Sequence, residues 1–137
     1  MDIKLNIITK QYDNNGYVDT INLDTKATLY NKNNDKYIVY KEEVEGIKTT
    51  TTIKISENEI SIKRFGNTNS NMVLKKGHTH INQYRTPQGV FIIETKTTKL
   101  DINNVSNDNI NINIEYDINI KDLFKGKNKI EIKYKAI

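Results

Sequence analysis

The chain has 137 residues, no cysteine, 28% charged residues and a formal net charge of +4. The length suits one domain, and the lack of cysteine excludes disulfides, thiolate metal sites and cysteine nucleophiles. Basic and acidic residues are interspersed along the chain, with no basic run and no stacking-aromatic motif, so we expect no nucleic-acid partner in spite of the positive charge.

The N-terminal segment alternates apolar and polar residues from Met1 to Lys4, which differs from the unbroken apolar stretch of a secretion signal. No stretch of the sequence has the apolar length of a membrane span. We therefore expect a soluble cytoplasmic protein that binds no membrane.

The predicted elements, in chain order, are short strands separated by turns. Period-two alternation begins at Ile3–Ile7 and recurs at Ile53–Ile55, Ile60–Ile62 and Ile130–Tyr134. Turn-forming Asn, Asp, Gly and Pro residues fall between these segments. The predicted turns lie at 13–16, 31–35, 66–69 and 86–89.

Alternation is strongest in residues 110–120, where every second residue is apolar. A strand points successive side chains to opposite faces, so this segment has one buried and one wet face. We predict that the even-numbered side chains of 110–116 point inward and that the odd-numbered ones face water. A register slip of one residue would invert both sets.

The whole pattern predicts an all-β protein of about ten strands. One helical turn is the best helix candidate in the chain, at 121–125 before Gly126. Many short antiparallel strands must hide their edges, and closure into a single up-and-down barrel is the direct solution. A two-sheet sandwich is the alternative.

Polar residues share the inward strand faces in the middle of the chain. By alternation, Tyr40 and Glu42 follow Ile38, and Arg64 follows Ile62. Inward-pointing charges need partners, so we expect Glu42 and Arg64 to be partly or fully buried and to interact directly or through one neighbour. The candidate ligand-binding residues of the lumen are Tyr40, Glu42, Arg64, Met72, His80, Tyr84, Thr86 and Tyr116.

Two interpretations of this polar cluster stay open. Polar groups in a barrel lumen can orient a small ligand. Alternatively, they form a satisfied buried network that fixes strand register in a filled barrel. An enzyme that uses Glu42, Arg64, His80 and Tyr84 is a third, weaker alternative, because no phosphate loop, nucleophile elbow or dinucleotide fingerprint accompanies them.

His78 and His80 would project from one strand face and could ligate a metal if a third ligand lay nearby. The spacing is short and unspecific, and His78 follows the turn glycine Gly77. We expect no metal and no cofactor.

Five stretches of the chain carry a family resemblance. They read as Tyr-x-Glu…Gly, Arg-x-Gly, Met-x-apolar, Tyr-x-Thr-x-x-Gly and Tyr-x-apolar elements, at Tyr40–Gly46, Arg64–Gly66, Met72–Leu74, Tyr84–Gly89 and Ile114–Ile118. In order and spacing they resemble the YwiB-like bacterial proteins, a calycin-like family of unknown function. The resemblance covers nearly the whole chain.

The resemblance implies one calycin-like domain over residues 1–137, folded as a closed barrel of the lipocalin type. Leu74 stands where aromatic residues are common in the family, so an aromatic lining is not expected there. For function, we expect a non-enzymatic bacterial protein that binds a small, amphipathic molecule in or at the mouth of its lumen. A protein-interaction module with a filled core is the alternative, and a homodimer is left open.

Overall fold

The structure, a computed structural model, describes residues 1–66, 69–106 and 108–137, which form ten strands. These residues contain no helix long and apolar enough for a membrane crossing. The strands are β1 (Asp2–Asp13), β2 (Gly16–Lys32), β3 (Asp35–Val44), β4 (Ile47–Ile55), β5 (Glu59–Phe65), β6 (Ser70–Lys75), β7 (Thr79–Thr86), β8 (Gly89–Ser106), β9 (Asn109–Ile120) and β10 (Phe124–Ala136).

All ten strands belong to one antiparallel sheet in the order β6-β5-β4-β3-β2-β1-β10-β9-β8-β7. The first and last strands of the chain, β1 and β10, pair along most of their length. At the two ends of the sheet, β6 and β7 are joined by one bridge between Asn69 and Arg85. The sheet therefore curls into a nearly closed barrel, which confirms the predicted up-and-down architecture over the two-sheet sandwich.

Aliphatic side chains fill the half of the barrel that contains the start of β1 and the end of β10, which we call the closed end. Ile3, Ile38, Ile60 and Ile132 are among its fully buried residues. The predicted inward face of β9 is confirmed, because its even-numbered residues 110–116 are at most 4% exposed. The odd-numbered residues 111–115 are half-buried on the outer face.

The opposite end of the barrel, the mouth, is more open. β2 pairs with β1 along its length but with β3 only from Thr28 to Lys32. The earlier part of β2, Gly16–Ala27, therefore extends past the wall formed by β3. Ile21, which shares the inner face with Ala27 by alternation, is 50% exposed there.

Two predicted turns illustrate how the strands are connected. Asn33 and Asn34 have φ angles of 53° and 69°, the left-handed pair that a two-residue hairpin turn of type I′ requires. The predicted turn at 66–69 includes Asn67 and Thr68, which lie outside the described residues.

The best helix candidate of the sequence, 121–125, is not helical. Residues 121–123 form a turn closed by a hydrogen bond of 2.9 Å from the Leu123 N–H to the Ile120 carbonyl, and β10 begins at Phe124. Asp122 has a φ of 64°, which an α-helix does not accept. The segment thus serves as the β9–β10 hairpin turn.

Candidate ligand site at the barrel mouth

Six polar side chains line the lumen on the mouth side of the aliphatic core, and we call them the polar belt. Three lie in register on β3, β4 and β5, and three lie in register on β10, β9 and β8. The members are Tyr40, Thr51, Arg64, Asn128, Tyr116 and Thr97.

The first row of the polar belt crosses β3, β4 and β5. Tyr40 lies opposite Thr51, which in turn lies opposite Arg64. Tyr40 and Thr51 are buried, whereas Arg64 is exposed at the rim. The next inward layer toward the closed end is wholly apolar and consists of Ile38, Ile53 and Ile62.

The second row crosses β10, β9 and β8. Tyr116 lies between Asn128 and Thr97, and all three side chains are buried. The Asn128 Nδ2 donates a hydrogen bond of 2.9 Å to the Tyr116 hydroxyl oxygen. The next layer below this row is also apolar, with buried Ile130 and Ile114.

The electrostatics of the polar belt centre on the buried phenol of Tyr116. Burial raises the pKa of Tyr116, while the hydrogen bond from Asn128 and the positive charge of Arg64 lower it by less. The phenol therefore stays neutral at neutral pH. Because its oxygen accepts from Asn128, its own proton is left to donate into the lumen.

Two hydroxyls of the polar belt are buried without a hydrogen-bond partner. They are the Oγ1 atoms of Thr51 and Thr97, whose residues are 0% and 1% exposed. Native proteins leave few buried polar groups unsatisfied, since each such group costs about 1–3 kcal/mol. The polar belt thus holds unused hydrogen-bonding capacity.

The other predicted site residues lie around the belt rather than in it. Met72, His80 and Tyr84 are half-buried. The Thr86 hydroxyl is engaged in the β7–β8 turn, where it accepts from the Gln88 N–H at 3.2 Å and donates to the Gly89 carbonyl at 3.3 Å. Thr86 therefore stabilises a turn.

Only one of the two histidines lies on β7. His78 is exposed and precedes β7, and its N–H donates to the Lys75 carbonyl at 2.9 Å. Only His80 projects from the strand. The His78 carbonyl accepts a hydrogen bond of 3.2 Å from the Thr97 N–H of β8.

The structure contradicts the expected burial of Arg64 and its direct interaction with Glu42. Glu42 is half-buried as expected, but Arg64 is exposed, and no ion pair joins them in the described part of the chain. Glu42 lies opposite Thr49 and Arg64 opposite Thr51, so the two side chains are offset along the intervening strand β4. The positive charge of Arg64 slightly lowers the pKa of Tyr116, which burial raises overall.

Sequence reasoning missed three members of the polar belt. Thr51 and Asn128 each lie two residues from a buried isoleucine, so the alternation pattern places them on the inner face. Alternation counted back from Leu100 would place Thr97 on the outer face. A register shift between Thr97 and Lys99 puts it on the inner face instead.

A separate cleft of about 550 Å³ lies at the closed-end part of the seam between β6 and β8. Its lining combines Lys75 and Lys76 with Asp101 and the partly buried Leu100. The cleft thus carries charges of both signs, whereas Arg64 is the one charged member of the polar belt.

Replacing Tyr134 by Phe is expected to leave stability unchanged or raise it by up to about 1 kcal/mol. The Tyr134 hydroxyl is buried without a partner, so its removal relieves an unsatisfied group. Tyr116→Phe is the matched control, and it should destabilise by about 1–2 kcal/mol because it leaves the Asn128 amide unpaired. Urea melts of the two variants measure the difference, and equal losses would contradict this assignment.

A family model described as "Domain of unknown function (DUF1934)" matches residues 3–132. The "Uncharacterized beta-barrel protein YwiB" of Bacillus subtilis (strain 168) is 26% identical over 124 residues, which span 90% of this chain and 87% of that protein. The crystal structure of the ywiB protein from Bacillus subtilis superposes with a TM-score of 0.87 at 24% identity, covering 99% of this chain and 92% of that one. The resemblance seen in the motifs is therefore confirmed, and the chain belongs to the DUF1934 family of β-barrel proteins.

Proposed function

We propose that this protein binds a small amphipathic molecule at the mouth of its barrel. The observation that carries the proposal is the pair of buried, unpartnered hydroxyls of Thr51 and Thr97 in the polar belt. A ligand that reached them would satisfy groups that destabilise the empty protein. Sites of this kind combine an apolar lining with a few fixed polar groups.

The amphipathic character follows from what surrounds the polar belt. Ile118 follows Tyr116 on the inner face toward the mouth, and Met72 lies opposite Ile62 in the apolar layer below the belt. Both are partly buried against the core cluster. Tyr84 and the half-exposed Ile21 lie on inner strand faces near the mouth. These side chains offer apolar surface to a ligand whose polar end contacts the belt.

The aliphatic closed end sets the depth of the proposed site. Fully buried side chains occupy the lumen below the polar belt, including Ile53 and Ile114 at 1% exposure each. A ligand would therefore rest on this apolar layer rather than pass through the barrel. The proposal is accordingly a site at the mouth and not a deep cavity.

The outer surface supports the expectation that nucleic acid is not the partner. Lys99 lies 3.7 Å from both Asp101 and Glu115, and Lys129 lies 3.9 Å from Glu115. Lysines interleaved with acids do not form the cationic stripe that phosphate contacts need.

Chemical-shift mapping of the isotope-labelled protein tests the proposal. Titration with four decyl compounds (decanoate, decyl phosphate, decanol and decyltrimethylammonium) should shift the backbone amides of Thr51, Arg64 and Tyr116 with at least one of them. The amides of Ile81 and Ile92, on the outer face of β7 and β8, should stay unchanged. Shifts confined to that outer face, or no shifts at all, would rule out a binding site at the mouth.

A protein-interaction module is the second candidate, favoured by an exposed apolar strip on the β7–β8 hairpin. Ile81, Val90 and Ile92 are 66%, 57% and 44% exposed there. Exposed apolar patches often mark interaction sites. Self-association that Ile81→Lys abolishes, measured by sedimentation velocity, would support this candidate.

A further inference from the structure

The polar belt is rich in hydrogen-bond donors. Arg64 carries five N–H donors and no acceptor, and the Tyr116 proton is free because its oxygen already accepts from Asn128. The hydroxyls of Thr51 and Thr97 add two more unused donors. The complement of such a site is a group made chiefly of acceptors.

The belt also carries an uncompensated positive charge. Within residues 1–66, 69–106 and 108–137, the Arg64 guanidinium makes no ion pair. Glu42 is the acid nearest to it along the inner faces of β3 to β5, and it is displaced along β4 as described above. Arg64 nevertheless lies on the inner face of β5, directly opposite the buried Thr51.

We infer that the ligand carries an anionic, oxygen-rich head group, a carboxylate or a phosphate, which pairs with Arg64 and accepts hydrogen bonds from the hydroxyls of the polar belt. The inference rests on the proposed function. A guanidinium binds such groups through paired N–H donors, and these charge-assisted bonds are stronger than neutral ones. The apolar part of the ligand lies toward Ile118, on the mouth side of the polar belt.

Neutral and cationic head groups fit the same site less well. An alcohol offers one oxygen and no charge, so it leaves Arg64 without a counter-ion. A quaternary ammonium adds a second positive charge beside Arg64 and has no acceptor for the threonine hydroxyls. The structure therefore ranks ligands by the head group when the apolar chain is held constant.

The test compares the four decyl compounds by calorimetric titration against the parent and three variants. Decanoate or decyl phosphate should bind at least about tenfold more tightly than decanol, and decyltrimethylammonium should bind most weakly. Arg64→Gln should weaken the better anion by about tenfold or more and leave decanol binding unchanged. Arg64→Lys should retain part of the preference, since it keeps the charge but loses the planar fork.

The chain provides a matched control, since Arg85 is its second arginine and lies exposed on β7. Arg85→Gln removes the same charge and should leave all affinities unchanged.

Two results would overturn the head-group inference while the proposed site stands. One is that decanol or decyltrimethylammonium binds at the mouth as tightly as the anions. Equal losses in Arg64→Gln and Arg85→Gln would likewise overturn it. Failure of every compound to shift the mouth amides contradicts the proposed function itself. The relative affinities of decanoate and decyl phosphate show whether the site prefers a carboxylate or a phosphate.

Discussion

Replacing Ile112 by Asp is expected to destabilise the protein by several kcal/mol, which is comparable to the whole stability of a small domain. Ile112 is fully buried and packs between its cross-strand partners Ile132 and Ile102. The substitution removes a buried aliphatic side chain and leaves an unpaired carboxylate in its place. A urea melt should show a midpoint far below that of the parent, or no cooperative transition.

The control for this change is Asn111→Asp, on the opposite face of the same strand. Asn111 is half-buried, lies opposite Lys133 and accepts a hydrogen bond of 3.2 Å from the Asn113 amide. An aspartate can still accept that bond and gains a positive neighbour, so the expected change is within about 0.5 kcal/mol. If both variants melt like the parent, β9 does not line a core and the register of the barrel is wrong.

Replacing Gly66 by Ala is expected to cost about 3 kcal/mol or more, the second largest effect. Its φ of +146° belongs to a region that residues with a Cβ rarely adopt. A Cβ at this position would also overlap the Lys48 carbonyl oxygen and lie 2.9 Å from the Thr49 Cα. The close approach of β5 to β4 would have to open, and with it the first row of the polar belt.

Gly46→Ala separates these two contributions. Gly46 also has a positive φ, +78°, but a Cβ there meets nothing within 4 Å. The strained backbone alone should cost about 1 kcal/mol. Denaturant midpoints compare the two variants, and equal losses would show that the contact with Lys48 is not a constraint on the fold.

The fold was largely predictable because period-two alternation survives in most strands. In β9 every inward residue from Ile110 to Tyr116 is buried as expected, since a single wet face and a single buried face specify the register. The alternation also placed Tyr40, Arg64 and Tyr116 on the lumen side. Alternation predicts on which face of a strand a side chain lies. It does not predict the height of the residue, that is, its position along the barrel axis.

The arrangement of the site was less predictable for the same reason. Height depends on the stagger between strands, which set Arg64 opposite Thr51 rather than beside Glu42. Thr97 was not predicted to face the lumen because a register shift follows it. The unpartnered hydroxyls are a property of three-dimensional packing, since no local pattern tells whether a buried threonine finds an acceptor.

Native mass spectrometry of three proteins tests the central claim of a ligand site at the mouth most directly. Ser70 lies on the inner face opposite Arg64, whereas Asn71 lies on the outer face opposite Lys63. Ser70→Trp should fill the mouth, and Asn71→Trp places the same ring outside.

Sprayed with decanoate and, separately, with decyl phosphate, the parent and Asn71→Trp should each retain one molecule of at least one of the two compounds, and Ser70→Trp should retain none. A complex equally abundant in Ser70→Trp, or absent from all three proteins, would contradict a ligand site at the barrel mouth.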